Sequence, residues 1–102
     1  MGAKKGYWIA QFEVTDPEAY KAYQAEVSAI FLEHGGRYIV RGGRSHLEEA
    51  HGPVRAVVIE FDDYKSALQC YLSPRYEAAK KLREGYATGH VIVVEGHDGE
   101  GS

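Results

Sequence analysis

Two sets of side chains in this sequence are of types that hold small molecules. Arg37 and Arg41 lie in a short β-branched run, and Glu60 lies in the next such run, which would make them neighbours on antiparallel strands. An arginine fork held on one side by a carboxylate keeps spare donors for a carboxylate, enolate or phenolate ligand. The commoner use of such a set is a structural ion pair at a sheet edge or subunit seam. The second set is Tyr71, Ser73, Tyr76 and Arg83. Tyr76 and Arg83 share one face of a helical stretch, and Ser73 stands at its start, where a hydroxyl and free backbone N–H groups can meet an anion. Here too the plainer use is the commoner one, since Ser-Pro is a frequent helix start and tyrosines fill cores.

Other chemistries find less support. His34, His46, His51, His90 and His97 show no metal-ligand spacing, and no metal or cofactor is expected. His34 reads as the end of a helix, near the negative end of its dipole. Cys70 is the single cysteine, which excludes an internal disulfide and reads as a small buried residue. No nucleophile–base pair is legible, which argues against a hydrolase.

The elements that must position these residues follow from periodicity. Tyr7 to Val14 reads as a strand whose Trp8, Ala10, Phe12 and Val14 make one apolar face. Asp16-Pro17-Glu18 starts a helix by capping, fixed φ and dipole, and Tyr20, Tyr23, Val27, Ile30, Phe31 and His34 form its stripe up to Gly35-Gly36. Arg37 to Arg41 is a second strand, followed by a polar hairpin containing Pro53, and Arg55 to Phe61 is a third. Asp62-Asp63 opens a short helix through Tyr71, Ser73-Pro74 restarts it as Arg75 to about Glu84, and His90 to Glu95 is the last strand. Residues 6–96 thus make one domain, and His97 to Ser102 a flexible polar tail.

The order β-α-β-β-α-β is the ferredoxin-like, split-βαβ arrangement of an α+β domain. Right-handed crossovers give an antiparallel sheet of order 4-1-3-2 with both helical layers on one face. On the other face Ile9, Ile39, Val58, Val91 and Val93 are expected, too apolar to be left wet. A second copy is the simplest cover, so a homodimer is expected. Trp8 and Phe12 are expected under the first helix.

With 102 residues and a net charge of −3, the chain has room for one core and carries no basic stripe for nucleic acid or an anionic membrane. The third strand lacks the aromatic run of an RNA-recognition domain. No apolar run reaches membrane length and the start does not read as a signal peptide, so a soluble, cytoplasmic setting is expected.

Several runs carry a family resemblance: Lys5-Gly6-Tyr7-Trp8-Ile9-Ala10, Thr15-Asp16-Pro17, Gly35-Gly36-Arg37-Tyr38, Val40-Arg41-Gly42-Gly43, Val58-Ile59-Glu60-Phe61, Ala67 to Tyr76 and Val93-Val94-Glu95-Gly96. In order and spacing the chain resembles the domain of unknown function 1330 (DUF1330) family from about Gly6 to Gly96. The resemblance implies a dimeric α+β barrel, with a cavity between sheet and helices in each protomer. That superfamily includes cofactor-independent oxygenases, lactone isomerases and haem-degrading enzymes; the family itself has no assigned reaction, and fold analogy does not supply one. The expectation is a small-molecule-binding protein or a cofactor-independent enzyme for an acidic or aromatic metabolite. Arg41, Glu60, Tyr71, Ser73, Tyr76 and Arg83 would gather round its cavity. The alternative is a non-catalytic structural or regulatory dimer whose tyrosines are core and interface.

Overall fold

Alternation of large apolar side chains makes Gly6–Val14 a strand (β1) that buries Trp8, Ala10 and Phe12 on one side. The structure, a computed structural model, describes residues 4–46 and 54–97. Pro53 of the expected hairpin and residues 98–102 of the expected tail lie outside the described residues.

Helix α1 (Pro17–Glu33) begins where Asp16 Oδ1 accepts the Ala19 amide at 3.2 Å. It ends at His34, whose Nδ1 lies 2.9 Å from the Ile30 carbonyl, and Gly35 follows at φ +78°. Strands β2 (Arg37–Arg41) and β3 (Arg55–Phe61) follow. Asp63 caps α2 (Tyr64–Leu72) through the Ser66 amide at 2.8 Å. Ser73 caps α3 (Pro74–Lys80), which tightens into a 3-10 turn over Lys81–Arg83 before β4 (Ala87–Glu95). The last strand therefore starts three residues before His90. Ala87 is buried there, and Gly89 lets β4 press against the backbone of Gln11.

The sheet is antiparallel in the order β2-β3-β1-β4, the expected 4-1-3-2 read from the other edge. All helices lie on one face, where Trp8 is the hub. Its ring meets Phe31 edge-on at 4.8 Å and Tyr76 at 4.9 Å, and its indole N–H donates to the Ala67 carbonyl at 2.8 Å. Phe12 packs against Tyr20, with ring centroids 6.4 Å apart, so the first strand does lie beneath the first helix.

The opposite face differs from expectation at β4. Val91 pairs with Ala10 and Val93 with Trp8, so both belong to the helix side, while Ile92 and Val94 point the other way. Alternation within an isolated strand fixes two sides without saying which is inner, and the pairing to β1 decides it. Across the uncovered face Val40, Val58, Ile9 and Ile92 stand in one row, each opposite the next. No helix of the described residues is long and apolar enough to cross a membrane.

Candidate functional site

The residues singled out from the sequence separate into three places. On the uncovered face, the Tyr7 hydroxyl donates to Glu60 Oε2 at 2.9 Å, and Arg37 Nε donates to Glu60 Oε1 at 2.9 Å. The Tyr7 hydrogen bond first, and the Arg37 guanidinium next, hold the Glu60 carboxyl below the usual carboxylate range. Arg41 does not join them. The ladder slips at Ile39, so that Tyr38 faces Ile59 but Val40 faces Val58 and Arg41 faces Val57. One extra residue turns Arg41 to the side opposite Arg37, where its guanidinium lies 4.3 Å over the Tyr38 ring. The shared parity expected for the two arginines is thus broken by a bulge.

The helical set holds together better. Tyr71 and Tyr76 rings lie 5.3 Å apart, and the Tyr76 hydroxyl meets that of Tyr23 at 3.0 Å in the core. Arg83 spreads its guanidinium 4.7 Å over Phe12 and 5.6 Å from Tyr23, and its buried Nε meets no acceptor among the described residues. Burial chiefly, with the neighbouring Tyr76 phenol, raises the Tyr23 phenol far above its usual value. Ser73 is spent on structure: its hydroxyl donates to the Cys70 carbonyl at 2.8 Å and accepts the Tyr76 amide at 3.2 Å. The expected convergence of Arg41, Glu60, Tyr71, Tyr76 and Arg83 on one cavity is not what the chain builds. Glu60 faces away from the helices, and neither Arg41 nor Arg83 lines the slot or the basin between α1 and the sheet.

The space between helix and sheet is elsewhere. A narrow slot runs between α1 and the sheet, walled by Phe12, Tyr23, Val27, Tyr38, Val57 and Ile59, with room for about one water-sized sphere (≈ 20 Å³). It meets an open basin of ≈ 270 Å³ walled by Val14, Pro17, Tyr20, Lys21, Gln24 and Arg55. Tyr20, Gln24 and Arg55 line both, forming a collar where the two spaces adjoin. Arg55 Nε is buried and meets no acceptor among the described residues. Its guanidinium lies against Gly42, which follows β2 at φ +61° and where a Cβ would collide with Nη1.

Sequence reasoning missed this collar, although one signal for Arg55 was present. It shares the parity of Val57, Ile59 and Phe61, the buried face of β3, so a cation stands at the end of an apolar row. Tyr20 was assigned to the apolar stripe of α1. Burial raises its phenol, against the pull of Arg55 and Arg83.

Residues 5–97 match the family described as Domain of unknown function (DUF1330). The chain belongs to it. No curated protein matches the chain. Among solved structures this DUF1330 domain is similar to a protein of unknown function from Rhodopseudomonas palustris, at 17% identity and a TM-score of 0.71, over 93% of this chain and 84% of that one. SnoaB, a cofactor-independent oxygenase from Streptomyces nogalater, aligns at 12% identity and a TM-score of 0.67, over 94% and 96%. A conserved protein from Methanosarcina mazei Go1 aligns at 15% identity and 0.59, over 92% and 94%. At such identities the likeness establishes a shared fold.

Two further features of the DUF1330 domain bear on chemistry. Cys70 is fully buried and burial pushes its thiol up to about 12, which keeps it from being a nucleophile in the folded chain. Among the described residues no three His, Cys, Asp or Glu side chains gather as a metal site would require.

Proposed function

We propose that this protein binds a small acidic or aromatic molecule in the basin between α1 and the sheet, with the apolar slot beneath taking a slender part of it. The observation that carries the reading is that basin and slot adjoin and share a collar of three polar side chains, at the edge of an aromatic core. If catalysis accompanies binding, the SnoaB likeness makes a cofactor-independent reaction the first to test, by oxygen uptake with a bound compound. A homodimer is part of the proposal, because the row Val40, Val58, Ile9 and Ile92 needs a cover.

The test is a ligand-stabilisation screen of one-ring acids, phenols and neutral aromatics, repeated on Gln24→Trp, which fills the collar. A compound at about 100 times its dissociation constant raises stability by roughly 2.7 kcal/mol. Hits lost in Gln24→Trp support the site; hits that survive it unchanged, or no hit at all, would overturn it. A second reading, a non-catalytic structural dimer, is favoured by one observation. Tyr7, Arg37 and Glu60 are closed on one another, as a structural set would be.

A further inference from the structure

We infer that Arg55 is the anion-holding residue of the basin, and that the class of molecule it takes is a single planar ring bearing a carboxylate. The inference rests on the proposed basin site and adds to it the group recognised and the residue that recognises it.

Charge is the first argument. The chain is acidic overall, 15 Asp and Glu against 12 Lys and Arg, yet among the described residues the basin wall holds Lys21 and Arg55 and no carboxylate. Lys21 is engaged with Glu18 at 3.0 Å on the exposed side of α1. Arg55 has no carboxylate of a described residue within ion-pair distance, and its Nε is sealed from water without an acceptor. That leaves the guanidinium short of partners, and because Arg55 lines the basin its remaining donors are the ones an entering anion would meet.

Shape is the second. Gly42 leaves room beside the Arg55 guanidinium that a side chain there would take, so the fork lies close against the backbone after β2. A planar fork matches a carboxylate through two parallel N–H···O bonds. The remaining wall is Val14, Pro17 and the Tyr20 ring, largely apolar, with Gln24 and Lys21 as the other polar groups. A phosphate would bring a second charge with only Lys21, already engaged by Glu18, to meet it, whereas a ring carboxylate presents one charged end and one apolar body.

The probes are benzoate, 4-hydroxybenzoate and the uncharged benzamide, titrated by calorimetry and by the NMR signal of the Arg55 Nε–H. Both carboxylates are expected to bind, to shift that signal, and to bind at least about ten-fold more tightly than the amide. Arg55→Met should weaken them by about ten-fold or more and leave the amide unchanged, while Arg55→Lys should recover part of the loss. Arg83→Met, a substitution outside the basin, should leave all three alone. Equal affinity of acid and amide, an unchanged acid affinity in Arg55→Met, or no binding of the carboxylates at millimolar concentration overturns the inference. In each case neutral ligands lost in Gln24→Trp would leave the basin reading standing, so the two failures are separable. Loss of the fold in Arg55→Met, seen as a lost melting transition, would make Arg55 structural and overturns it too.

Discussion

Phe12 joins the core to the collar. It is buried beneath Tyr20, stands opposite Arg55 on β3, and carries the Arg83 guanidinium on its ring. Phe12→Ala removes the ring under Arg83 and should cost about 3–5 kcal/mol in a denaturant titration. A loss under about 1 kcal/mol would mean that the ring bears little of the packing. The phenols beside it set an alkaline limit. Burial first, in both, raises Tyr20 and Tyr23 above the usual value of about 10. The unfolded chain therefore loses these protons while the native chain keeps them, and the stabilisation, full below about pH 10, falls as pH rises beyond it. Tyr23→Phe should flatten that fall in denaturant melts between about pH 9 and pH 11; an equally steep fall would assign it to other groups. At this scale the sequence was half legible. Tyr76 and Arg83 were found because helical spacing puts them on one face, and Phe12 and Tyr23 meet them there. Arg55 was read only as the first residue of the third strand, and nothing local in the sequence shows a cavity at that end of it.

Elements were far more legible than the site they frame. Caps and alternation are local, so Asp16, Asp63 and Ser73 start the helices as their types require, and β2 and β3 fall where their β-branched residues lie. What parity could not reveal is the register slip at Ile39, which depends on how β2 meets β3 and which sends Arg41 to the helix side. Nor could it assign an inner side to β4, whose partner is far off in sequence. The three residues of β4 before His90 have their own physical signature. A Cβ on Gly89 would meet the Gln11 carbonyl and the Phe12 backbone, so the strand closes on β1 only with glycine there. Gly89→Ala should cost about 1–3 kcal/mol, as overpacking does elsewhere. It should also speed amide exchange at Ala87 and Thr88, which pair with Val14 and Glu13. A neutral substitution with unchanged exchange would show that the close approach is relaxed in solution.

The molecule is two layers, helices over a sheet, and among the described residues nothing covers the second face of that sheet. Its middle row, Val40, Val58, Ile9 and Ile92, is apolar on all four strands, and Ile92 keeps 48% of its surface exposed. The adjoining row, Arg37, Glu60, Tyr7 and Val94, is polar at one edge and already paired within itself. An apolar band beside a satisfied polar one fits a two-fold contact in which like rows cross, leaving no charge without its partner. The same band left wet would make a small domain prone to non-specific association. The wild-type protein is therefore expected to sediment as a dimer at micromolar concentration. Ile92→Glu is the sharper test, because Ile92 is half exposed in the single chain. A substitution there should change the fold of one protomer by no more than about 0.5 kcal/mol. Placed in a face-to-face contact, the same carboxylate would lie unpaired among apolar side chains, which is costly enough to dissociate the pair. The expected outcome is a folded monomer with native circular dichroism. A wild-type monomer at that concentration, or an Ile92→Glu dimer as tight as the parent, would place the contact elsewhere and leave the row to some other cover.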